Sequence, residues 1–365
     1  LPVGDGSKGG DAIALRFGNL NSPHRGDQFV VVIDGGNQDS GQALVEHVKT
    51  YYGTDIVDLV INSHPDADHS SGLSVVLEKL VVKQLWMHRP WMHSSEICSL
   101  FNDRRITVAS LYSRVVASLD DAHDLERIAK RKGIPIDEPF AGLEAPTNLG
   151  ALAVLGPSKA YYQSLLPDFR STPERKEASL SLSLGEFGTW LREGATALLQ
   201  KVAESFGIET LEDPAEDATS AENNSSAILF LEVDGRRLLF TADAGVPALA
   251  RATNFAEAFR LDLSSCCFSQ TPHHGSKRNV GPTILNRILG PKLSTDAPSR
   301  TAFVSVPKEG EPKHPSKKVT NAYRRRGFRV VATKGQAIRH SHQAPTRAGW
   351  VAATVVPFYD EVEDD

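Results

Sequence analysis

The chain has 365 residues, 40% of them hydrophobic and 23% charged, and its formal net charge is -5. This is the balance of an ordinary globular protein, which excludes a wholly disordered or fibrous chain. The net negative charge gives no general attraction to nucleic acid, so such binding needs a local basic patch. No apolar run is long enough to span a bilayer, so we expect no membrane partner.

Three cysteines, Cys98, Cys266 and Cys267, cannot form a disulfide framework, and we expect a reducing, cytoplasmic compartment. The first residue is Leu1, and no basic-then-apolar leader follows it. We therefore expect that a few native residues are absent or that a segment was processed, and a removed signal peptide stays open.

The residues before the first predicted strand are rich in glycine. Residues 4–9 match the G-x-G-x-x-G pattern, but residues 12–17 predict a strand rather than a helix, which argues against a dinucleotide site. A glycine-rich turn that borders a pocket and a plain flexible loop both stay open. A second strand, 29–33, ends at Asp34, which is either a turn aspartate or a residue that hydrogen-bonds a ligand histidine.

The strand predicted at residues 56–61 is followed by four metal-type ligands: His64, Asp66, Asp68 and His69. A strand end and a tight loop can turn these side chains toward one point, where a divalent cation needs several converging donors. The alternative is a polar loop in which Asp68 caps a helix that begins near Ser70. Helices at 42–52 and 73–80 and a strand at 82–86 complete an alternation that is typical of an α/β sandwich.

The middle of the chain changes to a mostly helical pattern over residues 89–143, with helix formers throughout 106–132. Its basic residues at 127–132 are interpreted as a solvated helix terminus rather than a phosphate patch. His88, His93 and His123 lack ligand spacing and are interpreted as surface or packing histidines. Residues 159–166 and 186–206 predict helices, and the acidic residues 204–224 predict a mobile surface segment.

The second half of the chain repeats the pattern of strands that end in potential ligands. A hairpin of strands 227–233 and 236–241 is followed by Asp243, and a strand at 261–268 is followed by His273 and His274. Asp243 alone would more often cap the helix predicted at 247–259. Because three separate strands finish in Asp or His, we expect a metal cluster at one edge of a sheet sandwich.

Five short motifs, in this order, resemble those of a metallo-β-lactamase-fold hydrolase: SHPDADH (63–69), NNSS (223–226), TAD (241–243), PHHGS (272–276) and HP (314–315). The closest branch is the hydrolase domain of the ComEC type of DNA-uptake protein. The resemblance implies a single domain over residues 1–365 with a four-layer αβ/βα sandwich. Residues 89–143 would be a helical insertion, and residues 185–222 a variable acidic insertion.

Carried over residue by residue, the resemblance makes His64, Asp66, Asp68 and His69 the first ligand motif, Asp243 a bridging carboxylate, and His274 or His273 the late ligand. The broad family has histidine where Asp66 stands, and it has a further histidine ligand near Asn223 and Ser226. In this chain we assign Asn223 and Ser226 to positions behind the ligands. The pocket is therefore richer in oxygen donors. We expect one or two divalent ions, zinc or manganese, with magnesium also possible.

These residues predict a hydrolase in which the cation lowers the pKa of a bound water. Asp68 would orient that water or accept its proton, and His273, His314 or a second water would protonate the leaving group. His314 precedes a helix predicted at 317–326, so either it faces an anion together with the helix N-terminus or it is a plain turn residue.

Basic residues near these motifs favour a phosphate-bearing substrate, nucleic acid above all. Lys277 and Arg278, together with Ser276, would bind it, and a second basic cluster at 324–329 is either part of the same surface or a solvated helix. The leading prediction is a phosphodiesterase or nuclease. Two other classes stay open: a hydrolase of another ester or amide, such as a lactone or β-lactam, and a metal-binding protein without turnover whose helical insertion binds a partner protein.

Overall fold

The computed structural model describes residues 1–3, 9–101, 105–173, 201–309 and 314–363. The strands of the amino-terminal part are β1 (Ala12–Gly18), β2 (Gln28–Gly35), β3 (Ile56–Val57), β4 (Leu59–Asn62), β5 (Val81–Val82), β6 (Leu85–Met87) and β7 (Ile136–Asp137). Five of them form the first sheet in the order β1-β2-β4-β6-β7, while β3 and β5 form a small pair. Only β1 and β2 pair antiparallel; the other neighbours in the first sheet are parallel.

The remaining strands are β8 (Ala151–Gly156), β9 (Lys201–Ala203), β10 (Ile228–Val233), β11 (Arg236–Phe240), β12 (Phe268–Gln270), β13 (Arg300–Val304), β14 (Phe328–Ala332) and β15 (Glu361–Glu363). Six of them form the second sheet in the order β14-β13-β12-β11-β10-β8. The pairs from β11 to β14 are parallel. Parallel strands bring their carboxyl ends to one edge of the sheet, and the candidate functional site lies at this edge.

The helices of the described residues are α1 (Gln38–His47), α2 (Ala67–Lys79), α3 (Ser94–Ile97), α4 (Val108–Ser118), α5 (Asp120–Lys132), α6 (Lys159–Leu165), α7 (Ala221–Asn224), α8 (Val246–Ala258), α9 (Pro282–Leu289) and α10 (Lys317–Arg325). Helices α1, α2, α4 and α5 share one apolar core with the outer face of the first sheet. Helices α8, α9 and α10 share another core with the outer face of the second sheet.

Strand β2 shows how the sequence builds these layers. Val30 and Val32 pack into the helical core, whereas Val31 and Ile33 pack into a third core that contains Phe240 of the second sheet. Since both faces of the strand are covered, its sequence is a continuous apolar run. The chain is therefore a four-layer αβ/βα sandwich, and the predicted fold class is confirmed.

The helical segment 89–143 is packed into this sandwich. Leu125 and Ala129 of α5 are buried in the core that also contains Leu73 of α2, and β7 adds the last strand of the first sheet. The helix formers over 106–132 form two helices, α4 and α5, because the chain breaks at Leu119, whose φ and ψ of -121° and 45° are not helical.

Two other local predictions differ from the structure. Helix α2 begins at Ala67 rather than Ser70, so Asp68 lies inside its first turn instead of capping it. The strand expected at 261–268 is a 3-10 turn with β12 starting only at Phe268, because the Asp262 side chain accepts a hydrogen bond from the Ser264 N–H and curls the chain.

The sequence predicts a helix over residues 186–206 and a mobile acidic segment over residues 204–224. Most of that predicted helix lies outside the described residues, but residues 201–203 form β9, which pairs with β15. Glu204 and Leu211 are buried, so the mobile prediction is wrong for them. No helix among the described residues has the length and apolar character needed to cross a membrane.

Candidate metal centre

Three strand ends from the two sheets meet at one edge of the sandwich. His64 follows β4 of the first sheet, while Asp243 follows β11 and the His273–His274 pair follows β12 of the second. The ligand atoms of His64, His69 and Asp243 lie within 4.8 Å of one another, and the same holds for Asp68, His69 and His274 and for Asp243, His273 and His274. The structure thus brings together residues that lie as much as 210 positions apart in the sequence.

Asp243 is at the centre of the group. Its Oδ2 lies 3.5 Å from His69 Nε2, 3.6 Å from His273 Nε2 and 3.8 Å from His64 Nε2. Asp243 Oδ1 and the Nε2 atoms of His64 and His69 are buried and have no hydrogen-bond partner among the described residues. Buried polar atoms are rarely left in this state, and a carboxylate oxygen and two imidazole nitrogens are donors that a divalent metal accepts. The residues present therefore fit a metal ion.

Each of the four imidazoles is held through its other ring nitrogen. The Nδ1 contacts are His64 to Ser63 Oγ at 3.0 Å, His69 to Asp34 Oδ2 at 2.9 Å, His273 to Asn279 Oδ1 at 3.0 Å and His274 to the Ser305 carbonyl at 2.9 Å. The acceptors fix the direction of these bonds, because Ser63 Oγ already donates to Asp34 and the Asn279 amide donates to the Asp243 carbonyl. In the neutral form every Nδ1 carries the proton, and every Nε2 lone pair is free to bind a cation.

Asp34 lies behind His69, in the position that the sequence suggested for it. The carboxylate is fully buried and accepts hydrogen bonds from the Ser63 N–H, the Ser63 hydroxyl and His69 Nδ1. It therefore orients one ligand directly and, through Ser63, also orients His64.

Asp66 does not join the group. Its two carboxylate oxygens lie 2.7 and 2.9 Å from one terminal nitrogen of Arg170, whose Nε contacts Glu222 at 3.1 Å. Asp66 Oδ2 lies 3.9 Å from His64 Nε2, and no group of three converging ligand atoms among the described residues includes Asp66. Sequence reasoning missed Arg170, because a single arginine more than a hundred residues from its partner carries no pattern.

Asp11 is a second residue that the sequence analysis missed. It is buried, its carboxylate accepts a hydrogen bond of 2.6 Å from Gln270 Nε2, and it forms a potential ligand group with Asp34 and His69. Burial raises the pKa of Asp11 to about 7, against the lowering effect of His69. The only available signal was its place directly before an edge strand, which is too weak to distinguish it from any other loop aspartate.

The end of the glycine-rich segment borders this site, as one of the two open interpretations of it had suggested. A Cβ on Gly9 would lie 3.1 Å from the ring of His274, and a Cβ on Gly10 would lie 2.2 Å from the carbonyl oxygen of Asp68. Gly10 also has a φ of 152°, which disfavours other residues. A side chain at either position would therefore displace a candidate ligand.

The remaining predicted site residues surround the cluster at different depths. The ring of His314 lies 6.2 Å from that of His273, and Arg278 is exposed beside them. Ser276 is buried and its hydroxyl accepts a hydrogen bond from the Arg278 N–H, so it faces its own loop; Lys277 is half-buried. Asn223 lies in α7. Ser226 comes directly before Ala227, whose N–H donates to the Ser63 carbonyl.

Two arginines of the second basic cluster are not available for a substrate. Arg325 and Arg326 are fully buried, where they pair with Glu204 and Glu209, and only Arg329 of that cluster is exposed. The interpretation of 324–329 as a phosphate surface is therefore wrong for these two arginines, since their charges are used inside the fold.

Metal affinity is expected to increase with pH. Burial lowers the pKa of His69, but the carboxylates of Asp243 and Asp34 together raise it well above its ordinary value of 6.5. His69 is therefore protonated near neutral pH in the metal-free protein, and a cation must displace that proton. Calorimetric titration with Zn²⁺ at about pH 6.5 and about pH 8.5, in two buffers of different ionisation enthalpy, should show tighter binding at the higher pH and proton release at the lower. Equal affinity at both pH values would contradict this.

Comparison with known proteins gives one family. A family model described as the Metallo-beta-lactamase superfamily matches residues 25–287. Among solved structures, the chain is similar to the metallo-beta-lactamase SMB-1 bound to 2-mercaptoethanesulfonate, with 9% identity, a TM-score of 0.33, and 78% of this chain and 82% of that chain covered. It is also similar to an E377D mutant of the β-hydroxylase CmlA, with 11% identity, a TM-score of 0.31, and 80% and 45% covered. No curated protein matches it.

Proposed function

The chain belongs to the metallo-β-lactamase superfamily, and from this premise we propose that it is a metal-dependent phosphodiesterase, most specifically a nuclease of the ComEC type. The superfamily supports the broader activity, that of a metal-dependent hydrolase. One observation carries the proposal further: four imidazoles present Nε2 toward a central Asp243, each fixed through Nδ1, beside basic side chains.

Three overlapping groups of ligand atoms would hold the metal: His64, His69 and Asp243; Asp68, His69 and His274; and Asp243, His273 and His274. A divalent cation bound there supplies Lewis acidity, which activates water near neutral pH and offsets negative charge on the attacked group. Zinc and manganese both fit a donor set of carboxylates and imidazoles.

The chain's own residues would then position water and move protons. Asp68 lies in the first turn of α2, where its carboxylate can accept a hydrogen bond from water. His273 is fixed by Asn279 and is half-exposed, with His314 as its neighbour, so whichever imidazole is protonated and not bound to the metal can deliver a proton to a leaving oxygen. The pair is the candidate general acid.

A cationic rim supports the choice of a phosphate-bearing substrate. The Arg170 side chain is 68% exposed, yet its guanidinium is anchored by Asp66 and by the buried carboxylate of Glu222. Arg278 is exposed and lies four residues after His274 in the sequence. Guanidinium groups at fixed positions bind phosphate oxygens well, and an uncharged ester or lactam would gain little from them.

The test is hydrolysis by the metal-loaded chain of single-stranded DNA, RNA, bis(p-nitrophenyl) phosphate, a lactone and a β-lactam, each with manganese, zinc or magnesium. We expect the phosphodiesters to be cleaved and the KM for DNA to increase about five- to ten-fold in Arg278→Ala, with a smaller effect at high salt. Arg251→Ala is the matched control, because Arg251 stacks on Tyr161 elsewhere on the surface.

Two results would overturn the proposal. Cleavage of the lactone or β-lactam without any phosphodiester would favour the other hydrolase class. Stoichiometric metal binding without hydrolysis of any of these substrates would favour a binding protein.

A further inference from the structure

A cavity of about 650 Å³ lies beside the outer edge of β1 and is separate from the candidate metal centre. No other described strand pairs with this edge, and residues 338–344 also line the cavity. Asp11, which is grouped with Asp34 and His69, lines the cavity together with Gln270 and Ser305, whereas the other candidate ligands do not line it. Well-packed interiors do not contain voids of this size, whereas small-molecule sites do.

One wall of the cavity is aromatic. The rings of Phe268 and Phe303 are 5.1 Å apart and nearly perpendicular, and the ring of His340 lies 5.0 Å from Phe268. Leu15 and Leu238 extend this wall and are only partly buried. A planar apolar body would bury its surface against these side chains.

Three guanidinium groups form another part of the cavity lining. Arg16, Arg339 and Arg347 all line the cavity, and they are close enough to one another that each like charge disfavours the next. Arg347 stacks over Tyr52 and donates to His47 Nε2, and Arg16 lies over the same tyrosine ring.

This positive charge is poorly compensated. In the part of the chain that the structure describes, none of the three guanidinium groups forms an ion pair with a carboxylate. The lining carboxylates are Asp11, which Gln270 holds at the inner end, and Asp234, which is exposed in the β10–β11 turn. Arg339 donates to the Pro345 carbonyl through one nitrogen, which leaves its other donors for a ligand.

We propose that this cavity is a binding site for an aromatic anion, whose ring packs against Phe268, Phe303 and His340 and whose anionic group binds Arg339. A phosphate or carboxylate head satisfies both observations, since it would supply the missing negative charge while the ring fills the apolar space. The site is independent of the proposed hydrolysis.

The test uses a matched pair of probes, naphthalene-1-sulfonate and its neutral analogue naphthalene-1-sulfonamide, in calorimetric titrations of the full metal-loaded chain. We expect the sulfonate to bind at one site, at least about ten-fold more tightly than the sulfonamide. Arg339→Gln should weaken the sulfonate about ten-fold and leave the sulfonamide unchanged, whereas Phe303→Leu should weaken both. Thermal melting of each variant verifies that it is folded.

Arg251→Gln is the control, because Arg251, like Arg339, donates to a proline carbonyl but lies outside the cavity. Equal affinity for the two probes would overturn the proposal, as would sulfonate binding that Arg339→Gln leaves unchanged. Sulfonate binding that is lost on removal of the metal would place the probe at the metal centre and also overturn it.

Discussion

Replacing Asp243 with asparagine is expected to lower metal affinity by more than about 100-fold and to remove hydrolytic activity with it. Loss of a partner behind a ligand already costs about 10–100-fold, and Asp243 Oδ2 lies within 3.8 Å of the Nε2 atoms of three imidazoles. Burial raises the pKa of its carboxyl, but His273 and His69 outweigh that effect and hold the pKa well below its ordinary value. The group is therefore ionised and ready to bind a cation over the whole neutral range.

The asparagine keeps the shape of the side chain, so the metal-free variant should remain folded. Metal content after dialysis against zinc or manganese, followed by activity on the same samples, measures the effect. Asp39→Asn is the matched control, because Asp39 is exposed in the first turn of α1. An Asp243→Asn protein that retains metal and parental activity would remove Asp243 from the centre.

Replacing Arg325 with alanine is expected to lower the free energy of unfolding by about 3–5 kcal/mol. The guanidinium is fully buried, pairs with Glu204 and donates to the Phe206 and Ile208 carbonyls. Without it, the buried Glu204 carboxylate is left without its cationic partner. The free-energy cost comes from the unpaired buried group that remains, more than from the lost attraction between the two side chains.

Urea unfolding of the metal-free variant measures this effect. The control is Arg329→Ala, four residues along the same segment but exposed, which should stay within about 0.5 kcal/mol of the parent. Equal stability of the two variants would show that the buried pair does not hold residues 204–208 on α10.

The contrast between Arg325 and Arg329 also shows where the sequence stopped being informative. Charge and spacing along a chain are visible in a sequence, but burial is not, because it depends on which distant segment covers the residue. A run of arginines is usually a solvated surface, and here Glu204 and Glu209 return from more than a hundred residues away to cover two of them.

The central part of the candidate site was predictable for the opposite reason. In a parallel sheet, the end of a strand determines where the next residues lie, so ligands placed after β4, β11 and β12 must converge. Asp11 and Arg170 were not predictable, since neither follows a strand of the parallel set. Asp66 occupies the expected loop, but the direction of its side chain is set by its contact with Arg170. No local sequence pattern indicates that contact.

The two sheets contribute opposite halves of the donor set: His64 and His69 follow the first, and Asp243, His273 and His274 follow the second. A cation held by both halves would act as a cross-link between segments that are otherwise joined through an apolar core. Separation of the sheets at this edge would then require release of the ion. Occupancy would therefore slow opening of the whole sandwich, in addition to providing the chemistry.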